Sequence, residues 1–281
     1  MPSPTFEQLS RPVPPWHPKA WYFAVLALTL RTVGRLSDGI DLGFRHGFDS
    51  GLMMEYVYED RPRGRWGLGR VIDRVYLDAV GWRGIRIRRA NLEAVLSELI
   101  AEHRRAGQET IIADLATGSG RYVLDTLAAR GEEGVRASLR DLAPAGLELG
   151  RRRASELGLD NVTFETGNAF DGDQLAAIRP APNIVIVSGL YEILSDDTLI
   201  RPHFGQVRRI LAEGGAFVFT AQPSHPQIEL IARTLVNREG QPWIMRLRSI
   251  ETLTGWAREA GFTDFSSRTD PWGIFHVIVA R

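Results

Sequence analysis

The 281-residue chain contains no cysteine, which removes disulfides, thiolate metal sites and a cysteine nucleophile together. Lysine is almost missing: Lys19 is the single example, so the 34 basic residues are nearly all arginine, a skew expected of a GC-rich coding sequence. Net charge is absent too. The 34 bases face 34 acids for a formal charge of zero, which argues against general nucleic-acid affinity, because that rests on many basic contacts to phosphate. The longest apolar run, residues 20–30, is closed by Arg31 and is too short to span a bilayer. No secretory signal is visible, since Pro2, Pro4 and Glu7 stand where a basic segment and an apolar core belong, and a cytoplasmic location is expected. The 6 histidines lack metal-ligand spacing, so no metal is expected. What is present is ordinary: 44 % hydrophobic and 24 % charged residues describe a globular protein of one large or two modest domains.

Along the chain, residues 1–18 are proline-rich and read as an extended tail or strap. Residues 19–36 read as a helix apolar on most sides. Something must cover it: the following helices, a membrane surface or a second copy of the chain. Glycine-punctuated sequence with aromatics runs to Gly69, then a helix is expected over 70–79, and Leu92, Val95, Leu96, Leu99 and Ile100 recur at helical spacing before Gly107. From residue 110 onward strand-like and helix-like runs alternate, which signals a parallel sheet covered by helices. Strands are expected at 110–115, up to Asp141, and at 162–165, 183–187, 216–220, 264–268 and 273–280, the last two joined through Asp270-Pro271-Trp272.

The stretch 110–141 organises the rest. A strand carries Asp114 near its end, breaks into Ala116-Thr117-Gly118-Ser119-Gly120, resumes as a helix from Arg121, and is followed by a second strand ending on Asp141. Such a unit brings backbone close to a ligand and holds a carboxylate at the next strand tip, which suits a nucleoside. A dinucleotide fingerprint would place a third small residue where Val123 stands, so the phosphate-cradling reading weakens.

Asp114 before Gly118-x-Gly120 resembles the acid and glycine loop of class I S-adenosylmethionine (SAM) dependent methyltransferases, with Ala116 where that family most often has glycine. The resemblance covers residues 110–281. It implies an α/β, Rossmann-like doubly wound sheet, mostly parallel with an antiparallel C-terminal hairpin strand, behind a helical N-terminal cap or lid. The expected organisation is a tail over 1–18, the cap over 19–107 and the SAM-binding domain over 108–281. It also implies S-adenosyl-L-methionine as cofactor, with Asp114, Ala116, Gly118 and Gly120 at the methionine end and Asp141 and Leu142 at the ribose. Asn168 and Ala169 stand where the adenine is held, and Ser188 and Gly189, at the end of the fourth strand, are the remaining expected cofactor-binding residues. Tyr191 and Glu192, just past it, lie where this superfamily meets the transferred carbon. Tyr191 would shape the pocket, and Glu192 would hold an amine or act as base. His225 is a further base, or simply part of a rigid loop between prolines.

The whole chain also resembles a little-characterised bacterial branch of that superfamily, through Tyr76-Leu77-Asp78-x-x-Gly81-Trp82-Arg83-Gly84, His225-Pro226-Gln227-x-Glu229 and Pro242-Trp243-x-Met245-Arg246-x-Arg248. Arginines among aromatics suit a carboxylate, and aromatic faces suit a sulfonium, so Tyr56, Tyr76, Trp82, Arg83 and Arg246 are candidate substrate and cap residues. No Asn-Pro-Pro-Tyr or Asp-Pro-Pro-Tyr element occurs, so nucleic-acid base methylation on that pattern is unsupported. Three readings stay open: methyl transfer to a small or lipid-like acceptor in a capped pocket; cyclisation of SAM itself, as in azetidine-2-carboxylate-forming SAM cyclases; and a non-catalytic SAM-binding protein meeting a membrane or partner through the apolar face at 21–30 and the basic stretch 61–105. A homodimer is compatible with each.

Overall fold

Alternating apolar runs after residue 110 build a seven-stranded sheet among the described residues, in the order β3-β2-β1-β4-β5-β7-β6. The strands are β1 (Thr110–Asp114), β2 (Val135–Asp141), β3 (Val162–Thr166), β4 (Ile184–Val187), β5 (Ala216–Ala221), β6 (Phe265–Thr269) and β7 (His276–Ala280). The first five pair parallel, and β7 runs antiparallel to both of its neighbours, β5 and β6. The computed structural model describes residues 4–131 and 133–281. It divides into two compact units: Met1–Arg86 with Ser224–Leu247, and Ile87–Pro223 with Arg248–Arg281.

The α/β unit is built as strand pleating dictates, with successive side chains on opposite faces and both faces apolar. Ile112, Ile184, Ile186, Val218, Val277 and Val279 join Leu92, Leu96 and Leu99 of α6 (Val80–Arg105) and Val123 and Leu127 of α7 (Arg121–Arg130). Ala113, Val185, Val187, Phe217, Phe219 and Ile278 lie on the other face. There they meet Ile200, Phe204 and Val207 of α10 (Asp197–Ile210) and Leu253 and Ala257 of α12 (Ile250–Glu259). The layout is the α/β sheet that the sequence leads one to expect, with α8 (Pro144–Leu157) and the short α9 (Gly172–Ala176) completing it.

The other unit is helical: α1 (Phe6–Ser10), α2 (Pro18–Arg31), α3 (Asp38–His46), α4 (Gly51–Glu59), α5 (Trp66–Leu77), the start of α6, and α11 (Ile228–Thr234). Three expectations change here. Residues 6–10, free of proline, form α1 rather than extended chain. Thr5 and Gln8 close a capping box at its start, and Arg233 donates to the carbonyls of Leu9 and Arg11 at its end. The glycine-punctuated stretch holds α3 and α4, because two of its glycines are packing points inside a helix. A Cβ on Gly39 would sit 2.6 Å from the Tyr56 ring, and one on Gly43 would press on the Phe48 ring. Finally, residues 224–247 belong with this unit instead of with the sheet. Val236 O accepts from Phe48 N at 3.0 Å, Asp49 accepts from the Arg238 amide at 2.7 Å, and a Cβ on Gly81 would lie 2.7 Å from His225 Nε2. These partners are remote in sequence, so no local pattern announces them.

The helical unit turns on Asp73, which is fully buried. Its Oδ1 accepts from Ser37 Oγ (2.5 Å) and Gly39 N (3.0 Å), its Oδ2 from Tyr56 Oη (2.5 Å) and Arg63 N (2.8 Å). Asp73→Ala would strand four donors, three of them on buried residues, and is expected to lower unfolding free energy by about 3 kcal/mol. A urea melt reads this directly. Among the described residues no helix is long and apolar enough to cross a membrane.

Candidate functional site

In a sheet of this order the carboxyl ends of β1 and β4, where the chain direction of winding reverses, form the natural ligand crevice. The segment leaving β1 is tethered on both sides: Leu115 N donates to Ile186 O of β4 and Thr117 N to Arg140 O of β2, each at 3.0 Å. Gly118 and Gly120 then take positive φ, +60° and +68°, which glycine adopts at no steric cost. A Cβ on Gly120 would meet Leu139 Cδ1 at 2.4 Å, whereas one on Gly118 would meet nothing within 4 Å. Gly120 is therefore fixed by packing, and open space lies above the backbone at Gly118. Behind the loop, α8 presses in through Gly146 and Gly150, where a Cβ would come 2.7 Å from Gly118 O and 2.6 Å from Ser119 O. Sequence reading missed this pair. Two glycines four residues apart in an otherwise good helix were the available signal.

Asp141 ends β2 half-buried. Its Oδ2 accepts from Gly118 N and its Oδ1 from Ala143 N, both at 2.8 Å, so the carboxylate and the glycine loop hold one another and each oxygen keeps a lone pair for a ligand. Leu142 beside it is 64 % exposed, an apolar surface next to this acid. Asp114 is fully buried. It accepts from Tyr122 Oη at 2.5 Å, yet its Oδ1 has no hydrogen bond of good geometry. Burial pushes its carboxyl up to about 7, against the opposing pull of Tyr122, Thr117 and the Ala116 amide. Asn168 is exposed and its Oδ1 accepts from Phe170 N at 3.0 Å, while its backbone N–H donates to Gln174 Oε1. That is a side-chain-closed turn, so the expected adenine acceptor has one of its two lone pairs engaged. Ala169 is buried beside it. Past β4, Ser188 is half-buried and Gly189 takes φ +76° with its amide on Thr220 Oγ1 at 2.8 Å.

The two residues expected to meet the reacting carbon part company. Tyr191 is packed in the core: its ring stacks on Phe204 (5.2 Å between centroids), and its hydroxyl shares a 2.9 Å hydrogen bond with Nδ1 of His203, which burial holds down to about 4 and therefore neutral. Its place is in the packing of this face of the sheet. Glu192 is only 6 % exposed, and both carboxyl oxygens are buried with no hydrogen-bond partner. Such a group is costly to keep in a fold. Arg248 fixes the segment around it, donating to the carbonyls of Tyr191 and Leu194 (2.8 Å for the latter) and to Asp197 Oδ1 at 2.7 Å. Arg88 is buried too, over the Phe275 ring and 3.5 Å from a would-be Cβ on Gly189.

The substrate and cap candidates do not converge in the helical unit. Tyr76 and Trp82 meet edge to face at 5.6 Å, and Trp82 stacks on Trp243 at 6.3 Å. Tyr56 is bound to Asp73, its hydroxyl pushed above the usual tyrosine range by burial and that neighbour. Arg83 is exposed, and Arg246 pairs with Glu7 at 2.9 Å over the Phe6 ring. The basic stretch is no continuous surface either, because Arg86 donates to Leu77 O and Arg89 pairs with Glu93 and Asp125. His225, the alternative base, accepts from Gln227 N within its own loop.

A family model described as "Putative methyltransferase" matches residues 3–281. The chain is 37 % identical over 269 residues to the uncharacterized protein YnbC of Escherichia coli K12, a match that covers 95 % of this chain and 46 % of that protein; the chain thus spans about half the length of this relative. Among solved structures it is similar to a "possible exported protein" of Bordetella parapertussis (TM-score 0.65, 18 % identity, 95 % of this chain and 99 % of that one). It is also similar to an O-methyltransferase family protein of Burkholderia thailandensis (TM-score 0.53, 13 %, 94 % and 95 %) and to the SAM-dependent methyltransferase SibL in its apo form (TM-score 0.55, 15 %, 93 % and 76 %). At these identities the structures speak to the fold.

Proposed function

We propose, for a chain that belongs to this methyltransferase family, that it binds S-adenosyl-L-methionine along the carboxyl edge of β1 and β2 and methylates a small or lipid-like acceptor through an oxygen or nitrogen. The observation that carries the reading is Glu192, a buried carboxyl with no partner, on the sheet edge that also bears the Gly118 loop and Asp141. The residues fit the cofactor. Asp141 keeps lone pairs for a ribose diol, Leu142 offers an apolar face to an adenine, and open space lies over Gly118 for a methionine tail. When bound, the cofactor supplies a methyl carbon already activated by its sulfonium. The chain's part is then to orient the acceptor, exclude water and take a proton. Glu192 accepts the proton that the acceptor's hydroxyl or amine must lose, and Arg248 keeps its segment in place.

Two measurements test this. Asp141→Ala is expected to weaken SAM binding at least about tenfold in titration calorimetry, the loss of one charge-assisted hydrogen-bonding group; unaltered affinity would show that the cofactor lies elsewhere. With SAM alone the protein is expected to leave it intact and to consume it once an acceptor is added. Stoichiometric methylthioadenosine together with a cyclic amino acid would instead establish cyclisation of SAM.

A further inference from the structure

The helix α2 has an apolar sequence on most sides and no buried residue. A helix of that composition is normally enclosed. Its inward side, Phe23, Leu26, Ala27 and Leu30, is half-buried, while Trp21, Val25 and Leu28, spaced to form one line along the helix, are 69 %, 63 % and 63 % exposed, with Tyr22 flanking them. In the same unit α5 buries Gly69, Asp73 and Leu77 and turns Leu68, Val71 and Val75 outward on the opposite side, after an exposed Trp66. Both helices pack on the turn at Val33–Leu36.

We infer that these two stripes form a surface by which the protein seats on an anionic lipid bilayer. Two features select lipid over a second copy of the chain. The first is charge: no acid occurs in residues 12–36 or 61–72, whereas Arg31, Arg61, Arg65 and Arg70 are exposed there. The ion pairs nearby, Lys19 with Glu229 and Arg63 with Glu59, are internally neutral. In a two-fold dimer the same patch would face itself, so its uncompensated arginines would repel, while an anionic headgroup layer complements them. The second is the kind of side chain. Trp16, Trp21, Tyr22 and Trp66 are all exposed, and amphipathic rings settle at the boundary of headgroup and acyl chain, with aliphatic residues below them. This surface stands independently of the methyl-transfer reading, since it needs neither SAM nor Glu192.

Co-sedimentation of the full chain with extruded vesicles tests it. Vesicles of phosphatidylcholine mixed with phosphatidylglycerol are expected to pellet the protein and to shift its tryptophan emission to the blue. Pure phosphatidylcholine should bind at least about tenfold less, and added salt should weaken binding. Val25→Glu and Val71→Glu, at exposed sites and so expected to melt like the wild type, should each lower the partition coefficient about tenfold or more. Equal binding to neutral vesicles, or binding untouched by both variants, would overturn the inference. So would light scattering that shows a dimer without lipid, reverting to a single chain in the variants, since a second copy would then cover the face.

Discussion

Replacing Glu192 with methionine is expected to raise the unfolding free energy by about 2 kcal/mol while lowering methyl transfer by two orders of magnitude or more. The two changes have one cause. Both oxygens of Glu192 are buried without a partner, so the folded chain has given up the hydration of a polar group and received nothing in return. An unbranched apolar side chain of the same length removes that deficit without opening a cavity. The neighbouring frame should persist, because Arg248 binds the main-chain carbonyls of Tyr191 and Leu194 rather than the Glu192 side chain. Paired urea melts of wild type and variant read the stability, and titration with SAM should show the cofactor still bound. A destabilised variant would mean that Glu192 is a structural group. Tyr191→Phe is the natural contrast: it removes a buried hydroxyl from His203 and should cost stability, about 1 kcal/mol, with little effect on turnover.

Asp114 should make stability fall as pH rises. Burial lifts its carboxyl to about 7, whereas in the unfolded chain it titrates near 3.9. Between those values the native protein holds a proton that the unfolded chain has released, and each pH unit upward costs about 1.4 kcal/mol. The penalty is absent below about pH 4 and fully present above about 7, where it approaches roughly 4 kcal/mol. Asp114→Asn keeps an acceptor for Tyr122 Oη and removes the titration. The stability difference, wild type minus variant, is therefore expected to fall across pH 4 to 7 and to level off beyond. Urea melts of the pair across that range check it. A flat difference would show that Asp114 is ionised throughout.

Much of this was legible because it is local. Strand, acid, glycine loop, helix, strand and acid occupy consecutive positions from Thr110 to Asp141, and each carries its own signal of period or turn chemistry. All seven strands fall within a few residues of where alternation puts them. Illegible were choices that depend on what lies across the fold. Tyr191 and Glu192 are adjacent, polar and equally suited to a strand's end; only the presence of Phe204 and His203 decides that tyrosine turns inward. Gly146 and Gly150 look like weak points in a helix until the backbone of Gly118 and Ser119 is seen against them. Gly39 and Gly43 read as breaks for the same reason, and the glycine count misled where aromatic neighbours were the cause.

The helical unit is assembled from both ends of a long interruption, since residues 224–247 join a body begun by residues 1–86. During synthesis the first part must wait for the whole sheet as far as β5, on the order of ten seconds at ordinary elongation rates. Through that interval Phe48 and Trp82 lack Val236 and Trp243, and the apolar length of α2 is already outside the ribosome. The segment is thus a late latch, and a nascent chain arrested before it is an obvious client for chaperones. A protein cut at residue 223 would inherit the same defect permanently.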